Sequence, residues 1–176
     1  MKADLQRWLR EEIAIWRVDR SEFTKVENYI LGSSAAVITS ASLIVGLASA
    51  RAGKGPILGG LLTFALADNI SDSLGIRLYK ESEGCGERRS RLATALNFLS
   101  RLLVSFSFAA IVLLLPAAQA TIVGIAWAFV LLALISYSIA RSTRDEPVTV
   151  IIRHGLIAVI ALGLSQCVGY LIAGHL

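Results

Sequence analysis

The chain has 176 residues, 55% hydrophobic and only 17% charged, with a formal charge of +4 and a mean hydropathy of +0.67. Soluble domains average about 45–50% apolar and about 25% charged residues, so this composition excludes a water-soluble globular domain, whose interior could not hide so much apolar surface. The pattern is that of an all-α polytopic membrane protein: an N-terminal arm over residues 1–28, then one domain of five transmembrane helices over residues 29–176.

The arm is no signal peptide, because Arg7, Arg10, Glu11, Glu12, Arg17, Asp19 and Arg20 leave it no continuous apolar core. Leu5, Trp8, Leu9, Ile13 and Trp16 instead recur at helical spacing with basic residues on the other face. This predicts an amphipathic helix, lying either in the headgroup layer or against the cytoplasmic end of the bundle. Asp19 and Glu22 have capping-box character, which starts the first spanning helix near Arg20.

Five segments carry the roughly 20 predominantly apolar residues that a membrane crossing needs: Tyr29 to Ala50, Pro56 to Tyr79, Leu92 to Pro116, Ala120 to Ala140 and Val148 to Gly174. Short polar connections such as ARAGKGP and KESEGCGERRSR join them, with no room for a soluble insertion. The arm and the second and fourth loops together hold fourteen Lys and Arg, against Arg51 and Lys54 on the other side. By the positive-inside rule the N-terminus is cytoplasmic and the C-terminus outside, in an inner or plasma membrane. The basic charge thus reports topology and attraction to the lipid bilayer, and nucleic acid is not an expected partner.

Cys85, in a loop, and Cys167, within the fifth helix, lie in different surroundings and are not expected to pair. His154 and His175 stand at opposite ends of one helix, and no CxxC or HExxH spacing is present. Gly53-Lys54-Gly55 lacks the remaining residues of a phosphate-binding loop and reads as a turn.

The second segment is the unusual one. It sets Asp68, Asn69 and Asp72 inside an otherwise lipid-soluble helix. Gly59, Thr63, Ala67, Ser71 and Gly75 fall four apart along it, a small-residue row that permits close helix approach. Gly32, Ala36, Ser40 and Gly46 offer matching small residues on the first helix, so these two helices are expected to pack together and turn the aspartates inward. Charged groups near the bilayer centre cost about 2.5–3.5 kcal/mol each on insertion scales and mark ion or proton paths by default. Asp68, Asp72, Asn69 and Ser71 are therefore the candidate cation ligands, with Ser34, Thr39 and Ser40 as further neutral oxygens. Arg101 on the third helix enters to a similar depth, so an Asp72–Arg101 ion pair, joined by Asn97 one turn earlier, is the competing structural reading.

LGSSAAVITSASLIVGLASA, ILGGLLTFALADNISDSLGIRLY and the closing IIRHGLIAVIALGLSQCVGYLIAGHL together resemble the vacuolar iron transporter family. The resemblance implies five helices, a homodimer formed through the first helices, and export of Fe2+ or Mn2+ from the cytoplasm in exchange for protons. It implies no permanently bound cofactor, the divalent cation being substrate. Where the family carries Asp in the first helix this chain has Ala35; where its second helix reads Met and Glu, this chain has Asp72 and Ile76, while Ser71 and Gly75 are kept. A cation site here is accordingly all-oxygen, which suits Mg2+, Mn2+ or Ca2+ at least as well as Fe2+. The alternative is a family member without transport, acting as a membrane scaffold or regulatory subunit. An enzyme ranks behind both: membrane alcohol phosphotransferases also place two aspartates on one helix, but their longer Asp-Gly-x-x-Ala-Arg frame is missing.

Overall fold

The computed structural model describes residues 27–82, 84, 86–143 and 145–175, with backbone only for 27–31, 89 and 142. The amphipathic helix expected in the arm lies outside the described residues, as does Cys85. Five α-helices follow one another: α1 (Glu27–Ser49), α2 (Lys54–Ser82), α3 (Glu87–Leu114), α4 (Ala117–Thr143) and α5 (Pro147–His175). At about 1.5 Å per residue, α2 to α5 each exceed the roughly 30 Å of hydrocarbon they would have to cross. Windows within α1, α3, α4 and α5 are apolar enough to span a membrane; α2 matches them in length but carries Asp68, Asn69 and Asp72 at its middle.

The distribution of side chains is that of a protein dissolved in lipid. Leu103, Leu114, Ile122, Leu134, Ile160 and Leu164 are exposed on the outer faces, while Asn69, Ser90, Asn97, Arg101 and Ser136 are fully buried. In water this arrangement would be ruinous; in a bilayer the polar groups have partners only inside the bundle. The chain is an all-α polytopic membrane protein.

Helix α1 stands at the centre and touches all four others. Its Gly, Ala and Ser content explains that position, since small side chains let neighbours approach from every side. Val37, Ala41, Ile44 and Val45 form its core face, met by Phe108 and Val112 of α3, Ala128 and Leu132 of α4, and Ala158 and Leu162 of α5. The nearest approach is to α5: a Cβ on Gly169 would stand 2.3 Å from the Gly46 carbonyl oxygen and 3.0 Å from the Ala50 nitrogen. Polar contacts add specific ties, with the Ser136 hydroxyl 2.8 Å from His154 Nδ1 between α4 and α5, and Trp127 Nε1 donating to Ser107 Oγ at 3.0 Å between α4 and α3.

The connections follow from local chemistry. Helix α1 ends with Arg51 in the left-handed region, φ 59°, where the Arg51 N–H bonds to the Ala48 carbonyl at 3.0 Å and the Ala52 N–H to that of Leu47 at 2.9 Å. These paired bonds are the Schellman arrangement usually built on glycine. Between α3 and α4 only Leu115 and Pro116 intervene. Leu115 is extended, φ −108° and ψ 154°, as the residue before a proline is, and Pro116 lets a new helix begin at once.

Helix α2 departs from expectation. It packs chiefly along α3 and touches α1 less extensively. Its buried row is Ile57, Leu61, Ala65, Asn69 and Ser73, whereas Gly59, Thr63, Ala67, Ser71 and Gly75 are exposed. The two rows share the four-residue spacing but are offset by two positions, about 200° around the helix, and so face opposite ways. Nothing stands within 4 Å of a Cβ placed on Gly59 or Gly75. The packing of α2 follows Asn69 Oδ1 and Ser73 Oγ, which find partners on α3, and the small residues are left pointing outward.

Candidate functional site

Arg101 lies midway along α3 with its side chain 1% exposed. An arginine is costly to bury in an apolar bundle unless its N–H donors are met, and here four groups on two helices engage four of the five. Nε donates to Asn69 Oδ1 at 2.9 Å and Nη1 to the Gly32 carbonyl at 3.0 Å. Nη2 bonds to Asp68 Oδ2, and Nη1 also forms an ion pair with Asp72 Oδ2. The planar fork of guanidinium donors suits this divided coordination in a way that a lysine ammonium would not.

The backbone places each member. Asp68 and Asp72 are one turn apart on α2 and immediately precede Asn69 and Ser73 of the buried row, so they flank the α2–α3 contact and reach around it to Arg101. Asp68 is 27% exposed and Asp72 47%, each presenting part of its carboxylate at the outer face of the helix pair. Asn97, one turn before Arg101, is fully buried and donates from Nδ2 to Ser73 Oγ at 3.4 Å. On α1, Gly32 opens the space: a Cβ there would fall 1.8 Å from Asn97 Oδ1. A larger residue would displace Asn97 and crowd the guanidinium.

The structure thus gathers Asp68, Asn69, Asp72, Asn97, Arg101 and Gly32, all singled out from the sequence. Ser71 is exposed on the opposite face and takes no part. Thr39 donates to the Ala35 carbonyl of its own helix at 2.7 Å. Of the packing residues, Ala36 and Ser40 are buried within α1 and Gly46 is covered by Ser165 of α5, whereas Gly59, Ala67 and Gly75 face outward. Two contributors escaped the sequence reading, Ser73 and the Gly32 carbonyl. The first is marked by the four-residue spacing of the row it closes; the second is a backbone group and leaves no mark in side-chain pattern.

Two carboxylates against one guanidinium leave the cluster with one formal negative charge in excess. Buried Asn97 Oδ1 and Asn69 Nδ2 have no hydrogen-bonding partner among the described residues. Among the described residues there is no group of three or more His, Cys, Asp or Glu arranged to hold a metal, and any cation taken up at this point would share its carboxylates with Arg101. None of the family models, curated proteins or solved structures compared with the chain matches it.

Proposed function

We propose that the chain is a membrane transporter that moves a divalent cation of the Fe2+ or Mn2+ class out of the cytoplasm in exchange for protons. Asp68 and Asp72 are the carboxylates that carry the cation, and Arg101 is the internal cation that holds them between cycles. One observation carries this: an excess negative charge is built into the apolar part of the bundle, shared by two half-reachable carboxylates around a single arginine. Left alone, such a charge is costly in hydrocarbon, and a proton or a metal cation relieves the cost. Because a ligand must give up its proton to take a metal, the two occupants exchange for one another. The unpartnered Asn97 Oδ1 beside Gly32 offers a neutral oxygen, and an oxygen-only donor set favours hard divalent ions. The resemblance to vacuolar iron transporters supports the same activity.

Flux into liposomes tests it. Wild-type protein should carry Mn2+ to a trapped fluorescent chelator, and Asp68→Asn or Asp72→Asn should each reduce the rate by about tenfold or more, as expected when a charged ligand is removed from a low-dielectric site. Neither variant should melt earlier than wild type, because each leaves one carboxylate facing one guanidinium. Equal rates in wild type, variants and empty liposomes would leave a scaffold or regulatory subunit. That second reading has its own support in the four contacts that already engage Arg101.

The orientation belongs to the same proposal: N-terminus cytoplasmic, C-terminus outside, in an inner or plasma membrane. Cysteines placed at Gly53 and Ala118 should react with an impermeant maleimide on intact cells, and Cys85 only after permeabilisation. Reaction of Cys85 on intact cells would invert the topology.

A further inference from the structure

A groove of about 580 Å³ runs between α2 and α3 near the loop that joins them. Ile70 and Leu74 of α2 and Phe98 and Leu99 of α3 line it with apolar surface, and Arg77 and Arg91, one from each helix, stand in it toward that loop. Arg77 lies five residues before the end of α2 and Arg91 four residues after the start of α3. At about 1.5 Å per residue both are roughly 6–8 Å inside the helix ends, within reach of the headgroup layer.

Each arginine is held by a carboxylate of its own helix. Arg77 Nε donates to Glu81 at 2.8 Å, and Arg91 Nη2 bonds to Glu87. Both pairs lie on the surface, with Arg77 45% exposed and Arg91 67% exposed. Exposed pairs of this spacing contribute little to stability and exchange readily for a stronger acceptor. A phosphodiester is such an acceptor, since it takes two guanidinium forks at once.

We propose that this groove binds an anionic phospholipid, its phosphate between Arg77 and Arg91 and an acyl chain along Ile70, Leu74, Phe98 and Leu99. Charge complementarity and an apolar floor converge here on a face already turned to the bilayer, where such lipids surround the protein at high local concentration. The inner wall includes Ser73, the same hydroxyl that accepts from Asn97 beside Arg101. A bound chain therefore lies against the α2–α3 seam that positions the charge cluster, and lipid occupancy tightens that seam. The site requires the membrane placement of α2 and α3 and does not depend on transport.

Native mass spectrometry and thermal melting of the detergent-purified protein, with phosphatidylglycerol, phosphatidylcholine or inorganic phosphate added, test the assignment. Phosphatidylglycerol should be retained and raise the melting temperature, while phosphatidylcholine and inorganic phosphate do neither. Arg77→Gln with Arg91→Gln should weaken phosphatidylglycerol retention by about tenfold or more through loss of two charge-assisted contacts. Glu81→Gln with Glu87→Gln frees both guanidiniums and should strengthen it about two- to threefold, in proportion to the small worth of the pairs released. Equal retention of the two lipids, protection by inorganic phosphate alone, or a glutamate variant that binds no tighter than wild type would overturn the site.

Discussion

Arg101→Gln should cost about 3–5 kcal/mol, the range found when one partner of a buried ion pair is removed. It leaves Asp68 and Asp72 with no cation among the described residues, and frees Asn69 Oδ1 and the Gly32 carbonyl from their donor. Thermal melting followed by size-exclusion chromatography in detergent reads the effect. Adding Asp72→Asn should restore only part of the loss, since Asp68 still stands uncompensated; the triple variant with Asp68→Asn should restore most of it. A single pairing of Asp72 with Arg101, as expected from helical depth alone, would instead give full rescue at the double variant. An Arg101→Gln protein that melts with wild type would mean that charge pairing does not hold α2 to α3.

The second large effect lies at the α1–α5 crossing. Gly169→Ala should cost about 1–3 kcal/mol as an overpacked contact, and Gly169→Leu should abolish recovery of folded protein. The added Cβ would meet the Gly46 carbonyl oxygen at 2.3 Å and the Ala50 nitrogen at 3.0 Å, both backbone atoms that can yield only by separating the helices. Gly32→Ala makes an instructive contrast. Its Cβ would come even closer to a neighbour, 1.8 Å from Asn97 Oδ1, but that atom ends a side chain with no partner for its oxygen, and it can turn away. Gly169→Ala should therefore melt below Gly32→Ala in the same detergent. The opposite order would show the α1–α5 contact to be slack and Asn97 to be rigid.

Which parts of this architecture could be read in the chain depends on which physical term is strongest at each place. Apolar length marks α1, α3, α4 and α5, and the cost of charge in lipid marks Asp68, Asp72 and Arg101, because in both cases one energy dominates. Helical facing on α2 is less legible: two rows at the same spacing compete, Gly59 to Gly75 by size and Ile57 to Ser73 by polarity and bulk. Size alone points the first row at α1. Pairing Asn69 Oδ1 and Ser73 Oγ with α3 outweighs it, since an unmade hydrogen bond in an apolar interior costs more than the packing a glycine row provides. Gly169 is harder still to pick out, being one glycine among several on α5, and only the path of α1 against it distinguishes it from Gly163 or Gly174, which have open space above them.

The separation of Asp68 and Arg101 by 33 residues also has a meaning in time. A ribosome adding about 5–20 residues per second needs roughly two to seven seconds to pass from one to the other. Asp68 and Asp72 therefore emerge from the ribosome seconds before Arg101, on the helix least suited to remain in lipid alone. An α2–α3 hairpin entering the bilayer together would close its polar seam before either helix faced hydrocarbon.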